Sequence, residues 1–103
     1  MSNWISLGSI EQFAAESATE VVVGTSIVAV IQVEEQFFAI DGICAHQGGP
    51  VGKGQMCGHV VTCPWHGWQY DVRSGKHELS EIHQQSFEVE IRDSELWINM
   101  PED

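Results

Sequence analysis

Two Cys-His pairs constrain this chain more than any other feature of its sequence. The first pair is Cys44-Ala-His46, the second is Cys63-Pro-Trp-His66, and sixteen residues separate them. Each pair offers one thiolate and one imidazole from a short loop, so both pairs can reach a single metal centre. A tetrahedral zinc ion accepts such a ligand set. A two-iron cluster also accepts it, with both thiolates on one iron and both imidazoles on the other.

The residues that follow the two pairs favour the iron cluster. Residues 48–50 are Gly-Gly-Pro, and residues 67–71 are Gly-Trp-Gln-Tyr-Asp. Together with the pairs they resemble the signature of the Rieske [2Fe–2S] family, in which C-x-H is followed at a distance by C-P-x-H-G. The resemblance extends to residues 40–43 and 74–76 and covers most of the chain.

The resemblance implies the ligands and the residues around them. It implies that Cys44, His46, Cys63 and His66 bind one [2Fe–2S] cluster per chain. Replacing two thiolates by neutral imidazoles raises the reduction potential to roughly −150 to +300 mV, above that of all-cysteine plant-type clusters. The implied surroundings of the cluster are Gln47, Gly48, Gly49, Trp65, Gly67, Trp68 and Tyr70.

Three glycines and two tryptophans have specific expected roles in these surroundings. We predict that Gly48, Gly49 and Gly67 adopt positive φ and let the main chain approach the cluster sulfides. Trp65 and Trp68 allow two interpretations, because such side chains can shield a site from water or simply pack in the core.

The remainder of the chain shows the patterns of short β-strands. Apolar residues alternate with charged ones at 87–92, and β-branched residues dominate 26–33. Glu34-Glu35 and Asp93-Ser94 stand at the predicted hairpin turns. We therefore predict an all-β chain with strands at 4–7, 20–23, 26–33, 36–40, 59–62, 69–72, 87–92 and 95–100, and one helical turn within 9–16.

Glycine is concentrated in the middle of the chain, where residues 41–76 hold eight of the ten glycines. This composition indicates a loop-rich insert in a β scaffold. The resemblance implies the Rieske fold, a small antiparallel β-sandwich or barrel base that carries a cluster-binding subdomain at about 41–76. We expect residues 1–103 to form one domain.

Charge limits the classes of partner. The sequence contains four basic residues (Lys plus Arg) and fifteen acidic residues (Asp plus Glu), which gives a formal net charge of −11. The chain therefore lacks the basic footprint that nucleic acid requires. An acidic surface suits encounter with a basic patch on another protein, although it can also serve solubility alone. The longest apolar run, 27–31, is too short to span a membrane, and no signal peptide is visible. We expect a cytoplasmic monomer.

Four further cysteine and histidine residues lie outside the two pairs. With Cys44 and Cys63 on iron, Cys57 has no partner for an intramolecular disulfide, which favours a reducing compartment. We predict that Cys57 is a small buried apolar residue. His59, His77 and His83 are predicted to be surface or strand residues and not metal ligands.

Comparison with the known branches of the family indicates the low-potential ferredoxins. Respiratory and photosynthetic members link the two cluster loops by a disulfide, whose cysteines would fall at Gly49 and Trp65. They also carry a serine at the position of Trp68, and its hydroxyl bonds a cluster sulfide. Fewer hydrogen bonds to sulfur lower the potential. Residues 77–86 lack the proline loop of many members, so the sequence leaves open what covers the third side of the site.

The resemblance implies a one-electron carrier that passes electrons from a flavin reductase to the terminal oxygenase of an aromatic-ring-hydroxylating system. The sequence has no G-x-G-x-x-G fingerprint and no spacing typical of a 2-His-1-carboxylate iron site, so substrate chemistry is expected on a partner. The alternative within the family is the small subunit of an NAD(P)H nitrite reductase. A zinc-bound interaction module is the alternative outside it.

Tyr70 generates a prediction about the reduction potential. The high-potential members have Tyr at this position, whereas the ferredoxins usually have Phe. If the hydroxyl of Tyr70 reaches a ligand sulfur, Tyr70→Phe lowers the reduction potential, because the reduced cluster loses a hydrogen bond. Protein-film voltammetry of both proteins measures the shift, and an identical potential would contradict the prediction.

Overall fold

The computed structural model describes residues 3–43, 48–65 and 67–100, and regular structure in these residues is almost entirely β. This confirms the predicted all-β class. Two short 3-10 helices, Ile10–Gln12 and Val51–Lys53, accompany the strands. Ser9 caps the first of them by accepting a hydrogen bond from the N–H of Glu11. The strands are β1 Asn3–Ser9, β2 Ser17–Val23, β3 Ser26–Val33, β4 Gln36–Asp41, β5 Gln55–Cys57, β6 Val60–Thr62, β7 Gln69–Asp71, β8 Ser86–Arg92 and β9 Glu95–Met100.

Six strands form a curled antiparallel sheet in the order β1-β9-β8-β4-β3-β2. The β3–β4 hairpin turns at Glu34 and Glu35, with φ of 51° and 67°, and the β8–β9 hairpin turns at Asp93 and Ser94, with φ of 50° and 64°. Two consecutive positive φ values give a turn whose twist matches that of the paired strands. Both predicted hairpins are therefore confirmed.

Strand β3 is buried on both faces because side chains alternate across a strand. Its even-numbered residues Val28 and Val30 face a first core, together with Phe13, Leu96 and Ile98. Its odd-numbered residues face a second core on the opposite side of the sheet. The buried members of that second core are Ala29, Ile31, Val33, Ile40, Val51, Val61, Cys63, Tyr70 and Val72.

The second core lies between the large sheet and a small antiparallel sheet in the order β5-β6-β7. Val61 of β6 and Tyr70 of β7 are fully buried in it. The small sheet comes from the glycine-rich segment 41–76, where the sequence predicted a loop-rich insert. Strand β5 and the 3-10 helix Val51–Lys53 were not predicted. Among the described residues, none of the helices is long and apolar enough to cross a membrane.

Cys57 is exposed, so the prediction that it is buried is wrong. It is the last residue of β5, next to the β5–β6 turn at Gly58. Met56, its neighbour, packs against the second core. Because successive side chains of a strand point to opposite faces, Cys57 faces away from that core.

The outer face of strands β1, β9 and β8 carries an aromatic sandwich. The guanidinium carbon of Arg92 lies 4.9 Å from the ring centroid of Trp4 and 5.1 Å from that of Trp97. Arg92 also forms an ion pair with Glu90 at 3.0 Å. The side chain of Arg92 therefore connects the three neighbouring strands β1, β9 and β8 at one edge of the large sheet.

Arg92→Gln is expected to lower the free energy of unfolding by about 1 kcal/mol, because it removes two cation–π contacts at a partly exposed site. Urea unfolding followed by fluorescence measures this loss. Arg73→Gln is the matched control and should have a smaller effect, because the Arg73–Asp71 ion pair is partly exposed and such pairs contribute little to stability. Equal stability of Arg92→Gln and the wild type would contradict the prediction.

Candidate metal centre

Both predicted ligand loops are closed at their bases by backbone contacts. The first loop begins and ends at the isolated bridge between Ile43 and Pro50. The second is closed by the N–H of Cys63, which donates to the carbonyl of Trp68 at 2.7 Å. Cys44, His46, Gln47 and His66 lie outside the described residues. Their assignment as three ligands and a neighbour of the cluster therefore stays a prediction.

Cys63 is the one predicted ligand that the described residues include. It follows β6 directly, and only 1% of its surface is exposed, within the second core. A buried thiol in an apolar environment is protected from solvent and side reactions. Its position suits a ligand at the inner end of a metal site.

Gly49 brings the first loop into contact with the second. A Cβ at this position would lie 2.8 Å from the Sγ of Cys63 and 2.9 Å from the Cβ of Trp65. Real Cβ atoms do not approach so closely, so the contact requires glycine. Positions 49 and 65, where respiratory members carry their disulfide cysteines, therefore face each other. The two loops are thus packed around the predicted thiolate ligand.

The other two glycines of the loops have the predicted backbone conformation. Gly48 has φ of 74° and Gly67 has φ of 70°, both in the left-handed region that favours glycine. Gly49 differs, because a close approach and not a positive φ requires it. The prediction of positive φ is therefore confirmed for Gly48 and Gly67 and wrong for Gly49.

The two tryptophans of the second loop differ in their surroundings. Trp65 is 50% exposed and lies against Gly49. Trp68 is half-buried and packs against the second core, beside Tyr70. The interpretation as core packing is therefore correct for Trp68. Trp65 exposes half of its surface to solvent and lies against Gly49, close to the thiol of Cys63.

Residues 77–84 form the third side of the site, next to the two predicted ligand loops. The sequence left open which residues cover this side. His77 stacks on the indole ring of Trp68, with 4.1 Å between ring centroids and 13° between planes. The N–H of Glu78 donates to the carbonyl of Gln69 at 2.9 Å. At the other end, the side-chain amide of Gln84 donates to the carbonyls of Asp41 and Ile43 at 3.0 and 2.6 Å. This segment therefore contacts the ends of both loops.

His77 and Gln84 are structural residues of the site that the sequence did not reveal. Both are buried, with 7% and 3% of their surfaces exposed. They occur in the polar run His-Glu-Leu-Ser-Glu-Ile-His-Gln-Gln, which has no periodicity that distinguishes buried from exposed positions. No local signal identifies them, because their burial depends on residues outside this run, such as Trp68 for His77 and Asp41 for Gln84.

The predictions for the three non-motif histidines have different outcomes. His83 is exposed, as predicted, and forms an isolated bridge with Lys76. His59 is half-buried next to β6, with its ring edge-on to Phe38. His77 is not at the surface but is buried in an isolated β-bridge with Tyr70, which agrees with the strand alternative of the prediction. Within residues 3–43, 48–65 and 67–100, no group of three or more His, Cys, Asp or Glu could hold a metal ion.

One ion pair lies at the end of β7. Arg73 Nη2 contacts Asp71 Oδ2 at 2.8 Å, and the backbone N–H of Arg73 donates to Asp71 Oδ1 at 2.8 Å. The Arg73 side-chain hydrogen bond is the main reason why the pKa of Asp71 is below its usual range. Because that pKa is lowered, the stability it contributes is present above the ordinary Asp pKa. It is lost as pH falls through the lowered value.

A family model described as the Rieske [2Fe-2S] domain matches residues 3–93. The chain belongs to the Rieske [2Fe–2S] family. Family membership implies one Rieske [2Fe–2S] cluster per chain. The described residues fit such a cluster, because a buried thiol is surrounded by loops that glycine allows to meet.

Two relatives of this Rieske protein are ferredoxins of dioxygenase systems. It is 24% identical to the anthranilate 1,2-dioxygenase ferredoxin subunit of Burkholderia cepacia over 102 residues, which are 97% of this chain and 94% of that protein. It is 32% identical to ferredoxin CarAc of Metapseudomonas resinovorans over 78 residues, 74% of this chain and 73% of that protein.

Two solved structures are similar to this chain over most of its length. A chain in a complex of reduced oxygenase and oxidized ferredoxin of carbazole 1,9a-dioxygenase matches with a TM-score of 0.84 and 26% identity, over 93% of this chain and 92% of that one. A candidate nitrite reductase small subunit from Mycobacterium tuberculosis has a TM-score of 0.90 but 10% identity, over 100% and 99% of the two chains. That second likeness concerns the fold alone.

Gly49→Ala is expected to impair cluster binding. The added methyl would collide with Cys63 and Trp65, and overpacking of this kind typically costs about 1–3 kcal/mol. Iron and acid-labile sulfide per chain should fall below the wild-type ratio after identical reconstitution.

Gly58→Ala is the control for this prediction. Gly58 has positive φ, so alanine strains the backbone there too, but a Cβ at Gly58 would meet nothing within 4 Å. Full cluster content in Gly58→Ala together with reduced content in Gly49→Ala is the expected result. Equal content in both variants would show that the close approach does not matter.

Proposed function

We propose that this Rieske protein carries single electrons from a flavin-containing reductase to the terminal oxygenase of an aromatic-ring-hydroxylating system. Like its ferredoxin relatives, the protein is an electron carrier and not a catalyst. Substrate oxidation then takes place on the oxygenase. We further propose that the whole chain acts as one Rieske domain, with residues 41–76 as its cluster-binding part.

The observation that carries this proposal is the contact of Gly49 with Cys63 and Trp65. It joins the two loops around a buried thiol, in a chain that is hardly larger than the site and its scaffold. When bound, the cluster supplies a reversible one-electron couple. We propose Cys44, His46, Cys63 and His66 as its ligands, with the thiolates at the inner end, where Cys63 is 1% exposed.

Exposed hydrophobic residues occur in and beside the segments that form the loops. Four exposed hydrophobic side chains, Ile43, Trp65, Leu79 and Ile82, occur in the segments that build the site. Ile43 precedes the first loop, Trp65 is in the second, and Leu79 and Ile82 belong to the third side. Exposed apolar residues mark an interaction surface when they form one contiguous patch. We propose that they contact the redox partner where the imidazole ligands are expected.

Charge supports the same assignment. The net charge is −11, and exposed Glu78 and Glu81 alternate with Leu79 and Ile82 on the third side. A basic rim on the oxygenase would attract this surface, raise the association rate and make it sensitive to salt. We also propose a cytoplasmic location, because an exposed Cys57 thiol suits a reducing compartment.

The proposal is tested with the reconstituted protein, a ferredoxin reductase with NADH, and a ring-hydroxylating oxygenase from the same organism. Product formation should require all three proteins. Leu79→Ser should slow reoxidation of the reduced protein by the oxygenase severalfold, while Val22→Ser, which replaces an exposed residue of β2, should not. Reoxidation should also slow as salt concentration rises.

Two results would contradict the proposal. Stable co-purification with a large sirohaem protein would identify a nitrite reductase subunit instead. Reoxidation by the oxygenase at the same rate in low and high salt would remove the proposed electrostatic attraction.

A further inference from the structure

His77 is the buried polar group that the proposed function leaves without a role. The residue is 7% exposed, and its ring stacks on the indole of Trp68, with 4.1 Å between centroids. The ring of Tyr70 lies 5.6 Å away at 52°. The three rings form a compact aromatic cluster, which we call the His77 stack and which includes Trp68, the closing residue of the second loop.

The ring of His77 is held in place from several directions. Its Nδ1 lies 2.8 Å from the hydroxyl oxygen of Ser80. The same oxygen accepts the N–H of Ile82 at 3.2 Å, and the N–H of His77 donates to the carbonyl of Ile82 at 2.7 Å. Burial of a polar ring is unfavourable unless it is hydrogen-bonded. The Ser80 contact gives Nδ1 a hydrogen-bond partner, and the two bonds with Ile82 hold Ser80 and the His77 backbone in place.

Trp68 connects the His77 stack to a predicted cluster ligand. Its carbonyl accepts the N–H of Cys63 at 2.7 Å, the bond that closes the second loop. Trp68 and Cys63 also pack in the same core. A shift of Trp68 therefore affects both the backbone of Cys63 and the core in which Cys63 is buried.

We propose that His77 is a positioning residue for the cluster: by stacking on Trp68 it holds the second ligand loop and keeps water away from Cys63. This inference rests on the proposed function, because it requires a cluster in the site. Removing the ring leaves a gap beside Trp68 that water or a relaxed loop can fill. Water near the thiolate stabilises the reduced, more negative form of the cluster, so the reduction potential rises.

The decisive variant is His77→Ala in the cluster-loaded protein. An aromatic pair contributes up to about 1.4 kcal/mol, a factor of ten in an equilibrium. We therefore expect iron release to a chelator to become about tenfold faster. The reduction potential should rise, and the electron paramagnetic resonance g-values of the reduced protein should shift.

His77→Phe separates stacking from hydrogen bonding. Phenylalanine cannot bond to Ser80 but preserves a flat ring against Trp68. Because the stacking is preserved, iron release should stay within about twofold of the wild-type rate. His83→Ala removes an exposed histidine of the same segment, and Ile98→Val removes a methyl group from the first core. Neither should change the potential or the g-values.

The outcomes distinguish this inference from the proposed function. A wild-type protein that shows no Rieske signal after reconstitution would overturn the proposed function. A wild-type protein with a normal signal, and a His77→Ala variant with unchanged potential, g-values and iron release, would overturn the role of His77 alone. The role of His77 would also be overturned if Ile98→Val shifts the reduction potential as much as His77→Ala does, because His77 would then act only through general stability.

Discussion

The site depends on the core between the large sheet and the small one. Ile31 and Ile40 of the large sheet pack there against Val61 and Tyr70 of the small sheet, and Cys63 lies in the same core. Each fully buried side chain of this size stabilises the fold by about 1.5–3 kcal/mol. The residues that fix the small sheet therefore also fix the predicted thiolate. Changes in this core are expected to affect the cluster and the fold together.

Several parts of the fold were predictable because their determinants are local. Strand β8 shows the alternation of apolar and charged residues, and the turns at Glu34 and Asp93 interrupt strong β patterns. The two Cys-His pairs and the glycines beside them stand in the sequence itself, so the positions of the two loops could be proposed from it, while the ligand roles stay a prediction. In Gly48 and Gly67 the backbone requirement and the residue type agree.

Other parts were not predictable because their determinants are tertiary. Cys57 has apolar neighbours, but its exposure follows from the register of β5 in a three-residue strand that the sequence did not indicate. His77 and Gln84 lie in a polar run, yet the segment crosses beneath one loop and beside the base of the other. Burial there comes from partners that precede them by 9 to 43 residues, such as Trp68 and Asp41. The place of Gly49 beside the cluster stays a prediction, and the structure shows that contact between the loops, not a positive φ, requires glycine there.

The position of Cys57 has a practical consequence. If Cys44 and Cys63 are bound to iron, Cys57 at the exposed β5–β6 turn is the one remaining thiol of the three cysteines. A maleimide dye or a gold surface would then attach at a single defined point on the molecule. Tethering through this point fixes the orientation of the protein without any engineered residue, which suits distance-dependent spectroscopy and electrode work on the natural chain.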